Sequence, residues 1–488
     1  MIKLFNYLDT KLEILFSKNN VNNIIINISL FISIAYLIIR FIDSIFLAHP
    51  YLGDESFFTR DLNYFLENGY KISVINGISI PFTLFSSFIY YFLNDISMSL
   101  RLANAIIVFL FILYLFVRKN LLATNDKSIF MIHFLMIIGT TGGMFYGTND
   151  SFFAVSLFII CSECYLYLKK NKINQIFVII IFSICIMSRP HFIIYLPILF
   201  LSFYIFLIYR DGWKMKNLFN PIIISFFISL LIVLLFNYPK IINKNFSHNQ
   251  GTYIPKFLFF SYADKSGTYK TDDPEFSWAQ WGFYSQMVSN NKMLGLFAPL
   301  VDWSVVRDYK IVHGEDSLPQ SYQEYLLKYF PSVMRRVPIS IIEVGLISIR
   351  YVGIFLLSLP FWLVFQIREK SNNPLMFISI FVFIGIITWT IIWPTTIASA
   401  KLVPLYTMLL ILVTDKSNFK SYIFNNNYLM LNIIIMDIIT IGTLWKWKIF
   451  YHIKSIEINN HSHFILLSNN KNLQVFSPIT SLGRVILI

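Results

Sequence analysis

Charge is what this chain has least of. Asp, Glu, Lys and Arg make up 13% of its 488 residues, about half the ~25% of an average soluble domain. With 56% hydrophobic residues and a mean hydropathy of +0.63, a single soluble core is excluded. Cysteine is scarce too. Cys161, Cys164 and Cys185 all fall inside apolar runs, so loops outside a membrane have no disulfide to draw on. Cys161-x-x-Cys164 has the spacing of a redox or metal pair, but an apolar run without a nearby His suits neither; both read as small apolar fillers. The net charge of +13 is not gathered into one patch, which argues against nucleic acid. Two further signals are missing. The opening residues carry mixed charge (Lys3, Asp9, Lys11, Glu13, Lys18) and no small-residue cleavage site follows the first apolar run, so no cleavable signal peptide is expected; residues 1–20 read as an interfacial helix. No internal repeat of the transporter kind is seen.

What is present is a series of apolar runs long enough to cross a bilayer. They predict an all-α polytopic protein with eleven spans near 24–48, 99–117, 129–146, 151–168, 174–188, 191–209, 219–237, 341–367, 374–393, 397–414 and 425–445. Basic residues occupy every second connection: Arg118, Lys119 and Lys127; Lys169, Lys170 and Lys172; Arg210, Lys214 and Lys216; Arg368 and Lys370; Lys416 and Lys420. By the positive-inside rule these connections and the N-terminus face the cytoplasm. The pattern holds only if 80–93, short and opened by Pro81, lies at the membrane surface without crossing.

Four parts follow: an N-terminal transmembrane module over 1–237 with a first exterior loop at about 49–98, an extracytoplasmic cap at 238–340, transmembrane helices over 341–445, and an extracytoplasmic tail at 446–488. The cap is too polar to span and too aromatic to be disordered. The tail alternates apolar and polar residues (Ile456, Ile458, Phe464, Leu466), which suggests a small β unit.

Six fragments carry chemistry, in this order: Asp54-Glu55 ahead of Phe57, Phe58, Leu62, Phe65 and Asn68-Gly69; Asn76-Gly77-Ile78-Ser79-Ile80-Pro81; Arg101-Leu102-Ala103-Asn104; Asp150 after an exterior turn; Arg189-Pro190; and Lys401-Leu402-Val403-Pro404-Leu405-Tyr406. Their order resembles the GT-C superfamily of integral-membrane glycosyltransferases, nearest the lipid A aminoarabinose transferases and the protein O-mannosyltransferases. The resemblance covers roughly residues 1–210 and 375–410. It departs from close relatives of the aminoarabinose enzyme at Ile80-Pro81, where they have a Lys; that cation is missing here, or Lys71 or Lys401 supplies it.

The resemblance implies inverting transfer of a sugar from a polyprenyl-phosphate donor to a lipid, glycan or protein acceptor, outside the cell membrane. The alternatives are a transporter or flippase of lipid-linked sugars and an O-antigen polymerase or ligase. Heavy use of Ile, Asn, Lys and Phe points to an AT-rich bacterial genome, hence undecaprenyl phosphate as carrier. The acceptor loses a proton as it attacks, a task for a carboxylate, and the leaving phosphate needs cations or a metal.

Asp54, Glu55 and Asp150 are the candidate catalytic residues; Arg101, Arg189, Lys401 and Lys71 are the candidate donor-phosphate ligands. Each has a plainer reading beside it. Asp54 and Asp150 stand where helix N-caps stand, Glu55 complements a helix N-terminus or ligates Mg or Mn, and the cations suit snorkelling at the interface. His313-Gly314-Glu315-Asp316 reads as a solvated loop and Arg335-Arg336 as headgroup contacts. Glu163 and Glu343 stand out as acids inside apolar runs.

Overall fold

The computed structural model describes residues 19–47, 55–122, 127–141, 144–189, 192–212, 214, 220–243, 373–392, 399–414 and 429–442, with scattered helical residues between 341 and 364. Among these there is no strand. The helices in chain order are α1 (Asn19–Ile42, continued by a π turn at Asp43–Leu47), α2 (Glu55–Ile75), α3 (Ile80–Leu93), α4 (Ile96–Leu122), α5 (Lys127–Thr140), α6 (Asp150–Lys170), α7 (Gln175–Ser188), α8 (Phe192–Asp211), α9 (Pro221–Phe236), α10 (Tyr238–Ile242), α11 (Leu375–Ile392), α12 (Ser399–Thr414) and α13 (Leu429–Gly442). Three segments are long and apolar enough to cross a membrane: Asn22–Phe46, Ile96–Arg118 and Asp150–Lys170. Shorter apolar helices surround them. This is a helical membrane protein. The N-terminal helix, Asp54, nearly all of the cap and the C-terminal tail lie outside the described residues.

Burial sorts these helices. The α6 segment is 94% buried and the α1 segment 17%, so α6 is the central post and α1 a peripheral helix. On α1, Ile24, Ile28, Phe31 and Ile38 remain exposed, a face that suits lipid and not water. Most of the core is one aromatic-rich cluster in which Phe111 packs edge-on against both Phe134 of α5 and Phe158 of α6. A smaller cluster joins the amino-terminal helices: Phe82 of α3 sits between Phe58 of α2 and Phe152 of α6.

Contacts at the helix ends fix the direction of each helix. Glu55 at the start of α2 bonds Ser97 and Arg101 at the start of α4. Near its other end α4 reaches α6 through Arg118 and Glu163. Asp150 opens α6 beside Arg189, which follows α7. The bundle therefore has a polar end, holding Glu55, Arg101, Asp150 and Arg189, and an opposite basic end, holding Arg118, Lys169, Lys170 and Arg210. Ser79, just before α3, bonds the Ser188 carbonyl, while α3 ends two residues before α4 begins. Both ends of α3 thus lie at the polar end of the bundle. Phe377 and Phe381 of α11 meet Phe203 and Tyr195 of α8 respectively, so α11 runs antiparallel to α8 and finishes at the polar end.

Two boundaries differ from the sequence expectation for local reasons. α4 starts at Ile96 because Asp95 accepts the Met98 N–H at 2.7 Å as a cap. α5 stops at Thr140, ahead of the Gly142-Gly143 pair, and residues 144–149 form an irregular connection to α6. Gly69 (φ +71°) breaks α2, and the chain beyond it folds back, so that Asn76 donates to the Tyr64 hydroxyl at 2.6 Å.

Candidate functional site

Glu55 is the best-connected acid at the polar end. Its carboxylate accepts from Ser97 Oγ at 2.5 Å, from Arg101 Nε at 3.1 Å to both oxygens, and from the Gly147 N–H at 3.3 Å. The side chains of Glu55 and Arg101 are 0% and 4% exposed. A buried pair holds only when its remaining lone pairs are satisfied, and here they are, by a hydroxyl and a backbone amide. Gly147 is required in this packing. A Cβ there would come within 2.8 Å of Glu55 Cγ and 3.0 Å of Leu100 Cβ.

One turn further along α4, the Asn104 amide donates to the carbonyls of Tyr146 and Thr148, and its oxygen accepts from Ser151 Oγ. Asn104 thereby closes the irregular 144–149 connection onto the first turn of α6. Asn149 donates to the Ser188 carbonyl at 2.5 Å, while its own buried oxygen has no partner among the described residues.

The second charge pair joins α6 to the end of α7. Arg189 Nη2 lies 2.8 Å from Asp150 Oδ1, and Thr148 Oγ1 donates to Asp150 Oδ2 at 3.3 Å. The guanidinium also sits 5.9 Å from the centre of the Phe58 ring, a cation–π distance. Arg189 differs from Arg101: its buried Nε and Nη2 make no hydrogen bond among the described residues, so its contact with Asp150 is a charge pair without hydrogen-bond geometry. Both arginines face a carboxylate, so the two pairs are electrically balanced.

Of the candidates read from sequence, the structure brings together Glu55, Arg101, Asp150 and Arg189. Lys71 is exposed on α2 beyond the Gly69 break. Lys401 belongs to the first turn of α12, at the polar end because α11 finishes there, and its side chain lies outside the described residues, as do Asp54 and the cluster around His313. The carboxylate of Glu55, the candidate metal ligand, is already taken up by a guanidinium, a hydroxyl and a backbone amide.

No protein family, no curated protein and no solved structure matches this chain. What the polar end can do is carried by its own geometry: two arginine–carboxylate pairs, bridged by the 144–149 connection, beneath a surface helix.

Two buried polar groups lie elsewhere, and the sequence reveals the partners of neither. Glu163 pairs with Arg118 at 3.2 Å and accepts from the Tyr114 hydroxyl at 2.8 Å; Glu163 drew notice as an intramembrane acid, but its partner had been read as a topology signal. His133 shares a 2.8 Å bond with Asn432 Nδ2, and Asn432 Oδ1 accepts the Ile354 N–H at 2.8 Å. The only sequence signal for this second group was a lone His within an apolar run.

Proposed function

We propose that this protein is a membrane-embedded inverting glycosyltransferase of GT-C type, which moves a sugar from a polyprenyl-phosphate donor to a lipid, glycan or protein acceptor. In this reading there are eleven spans, the basic end faces the cytoplasm, and the polar end is the extracytoplasmic face of the cell membrane. One observation carries the proposal. Residues from four of the six sequence fragments (Glu55; Arg101 with Asn104; Asp150; Arg189) meet at one end of the bundle, and the fragment 76–81 joins them through Ser79.

The residues divide by task. The acceptor oxygen or nitrogen attacks the anomeric carbon, and the bond from that carbon to the phosphate oxygen breaks with its electron pair going to the phosphate. Asp54, next to Glu55 in sequence, takes the acceptor proton. Arg189 offers its unpartnered Nε–H to the phosphate, with Asp150 orienting the guanidinium. Glu55 and Arg101 hold the surface helix onto α4 and touch no substrate. A transporter is the second reading, favoured by Glu163, an acid buried within α6, because charge inside a span is common along transport pathways.

The deciding experiment deletes the gene and restores it as wild type, Asp54→Asn or Arg189→Gln, with surface glycolipids and glycoproteins compared by mass spectrometry. One sugar mass lost on deletion, regained with wild type and not with the well-expressed variants, is the expected result. Full restoration by Asp54→Asn removes the base, and a glycan profile unchanged by deletion removes the enzyme.

A further inference from the structure

The polar end holds a cation that is folded inward and has no hydrogen-bond or ion-pair partner among the described residues. Lys240 lies on α10, the short helix that follows α9. Tyr238, Ile241 and Ile242 of this helix are exposed, so its apolar side chains face away from the protein. Lys240 turns the other way. Its Nζ is 3.7 Å from where a Cβ on Gly77 would sit, and among the described residues the ammonium has no hydrogen bond or ion pair. A lysine at the edge of a membrane bundle ordinarily extends its charge toward water. This one is half-buried instead, and desolvation holds its pKa below the usual lysine value.

The surroundings are built to keep it there. Tyr70 donates its hydroxyl to the Phe236 carbonyl at 2.5 Å, which ties the end of α9 to α2 and sets the direction of α10. Gly77 adopts φ +90°, a conformation natural to glycine, and its backbone turns next to the ammonium. Two residues on, Ser79 bonds the carbonyl of Ser188 at 3.1 Å, the residue before Arg189. The lysine is thus continuous with the Asp150–Arg189 pair through one short stretch of backbone. Beneath it, Leu231, Leu234 and Leu235 of α9 are exposed and offer an apolar track along the bundle.

An unpaired inward ammonium is costly unless an anion meets it. An anion that arrives where an apolar helix face ends is the phosphate of an amphiphile. We propose that Lys240 binds the phosphate of the lipid-linked donor, with the isoprenoid chain lying along α9. This rests on the transferase reading for the donor's identity.

The test uses the purified full-length protein in detergent and native mass spectrometry, with undecaprenyl phosphate as probe and phosphatidylglycerol as competitor. Wild type, K240R and the basic-end control K172Q are expected to retain the probe. K240Q should bind it about tenfold more weakly, the loss of one charge-assisted hydrogen bond. Lysine acylation of the wild type, read by peptide mapping, gives a measurement independent of any variant's folding: the probe should protect Lys240. Probe retention by K240Q equal to wild type overturns the proposal, as does unprotected Lys240. Equal displacement by phosphatidylglycerol overturns the donor assignment. Loss of binding in K240Q with no sugar transfer by wild type leaves the lysine's role standing and removes the transferase. Transfer and binding both intact in K240Q do the reverse.

Discussion

Glu55 and Asp150 are both acids paired with arginines, yet they answer to different tests. Glu55→Gln leaves Arg101 buried without its charge partner, which costs about 3–5 kcal/mol. Detergent-solubilised Glu55→Gln should therefore melt far below wild type or fail to accumulate, and Glu55→Gln with Arg101→Met should recover much of the loss. Asp150 and Arg189 retain some exposure, at 16% and 10%. Asp150→Asn should keep the melting temperature near wild type and abolish the glycan restored by the gene; a melting loss like that of Glu55→Gln would make Asp150 structural. The sequence showed which fragments carry charge and that they gather at one end, since each stands where an apolar run begins or ends. It could not show which acid neutralises which arginine. Glu55 and Arg101 are 46 residues apart, and their pairing depends on how helices turn about their axes. Ser97 and Lys240 were illegible for the same reason, being ordinary polar residues until a neighbour's backbone is in place.

Helices pack here through glycines as well as through aromatic rings. A Cβ on Gly139 of α5 would meet Tyr36 of α1 at 2.8 Å, and one on Gly385 of α11 would meet Leu405 of α12 at 2.5 Å. Small residues that admit a neighbour closely are a common means of association in membranes. Gly385→Ala should destabilise by about 1–3 kcal/mol through overpacking, measured as a lower melting temperature, and Leu405→Ala on the same background should relieve it. No relief would mean that the helices separate instead of repacking. That both ends of α3 lie at one end of the bundle was legible at this scale, because a non-crossing 80–93 is what keeps the basic connections on one side. The break in α2 was legible at Gly69, whereas the fold-back onto Tyr64 depends on tertiary contact and left no mark in the sequence.

For the molecule as a whole, the charge pattern predicts which end faces out. The three native cysteines are fully buried and should be silent to an impermeant maleimide. Glu67→Cys, on α2, should then label in intact cells, and Lys172→Cys, in the loop between α6 and α7, should label only after permeabilisation. Equal labelling of both in intact cells would invalidate the orientation. The carboxyl-terminal helices are held to the rest by polar ties such as Asn432 to His133. Gly353 (φ +60°) lies against the Asn432 side chain, so a Cβ there would collide with the amide. Gly353→Ala should lower the yield of folded protein, and an unaffected yield would show that this tie is dispensable.

The separations along the chain carry one more consequence, for the ribosome. Glu55 and Arg101 are 46 residues apart and Asn149 and Ser188 are 39, whereas His133 and Asn432 are 299 apart and Ser29 and Asp437 are 408. Chains emerge amino-terminus first. The polar end can close while most of the second half is still untranslated, and the late helices then dock onto a finished platform, joined to it by the last buried hydrogen bonds to form.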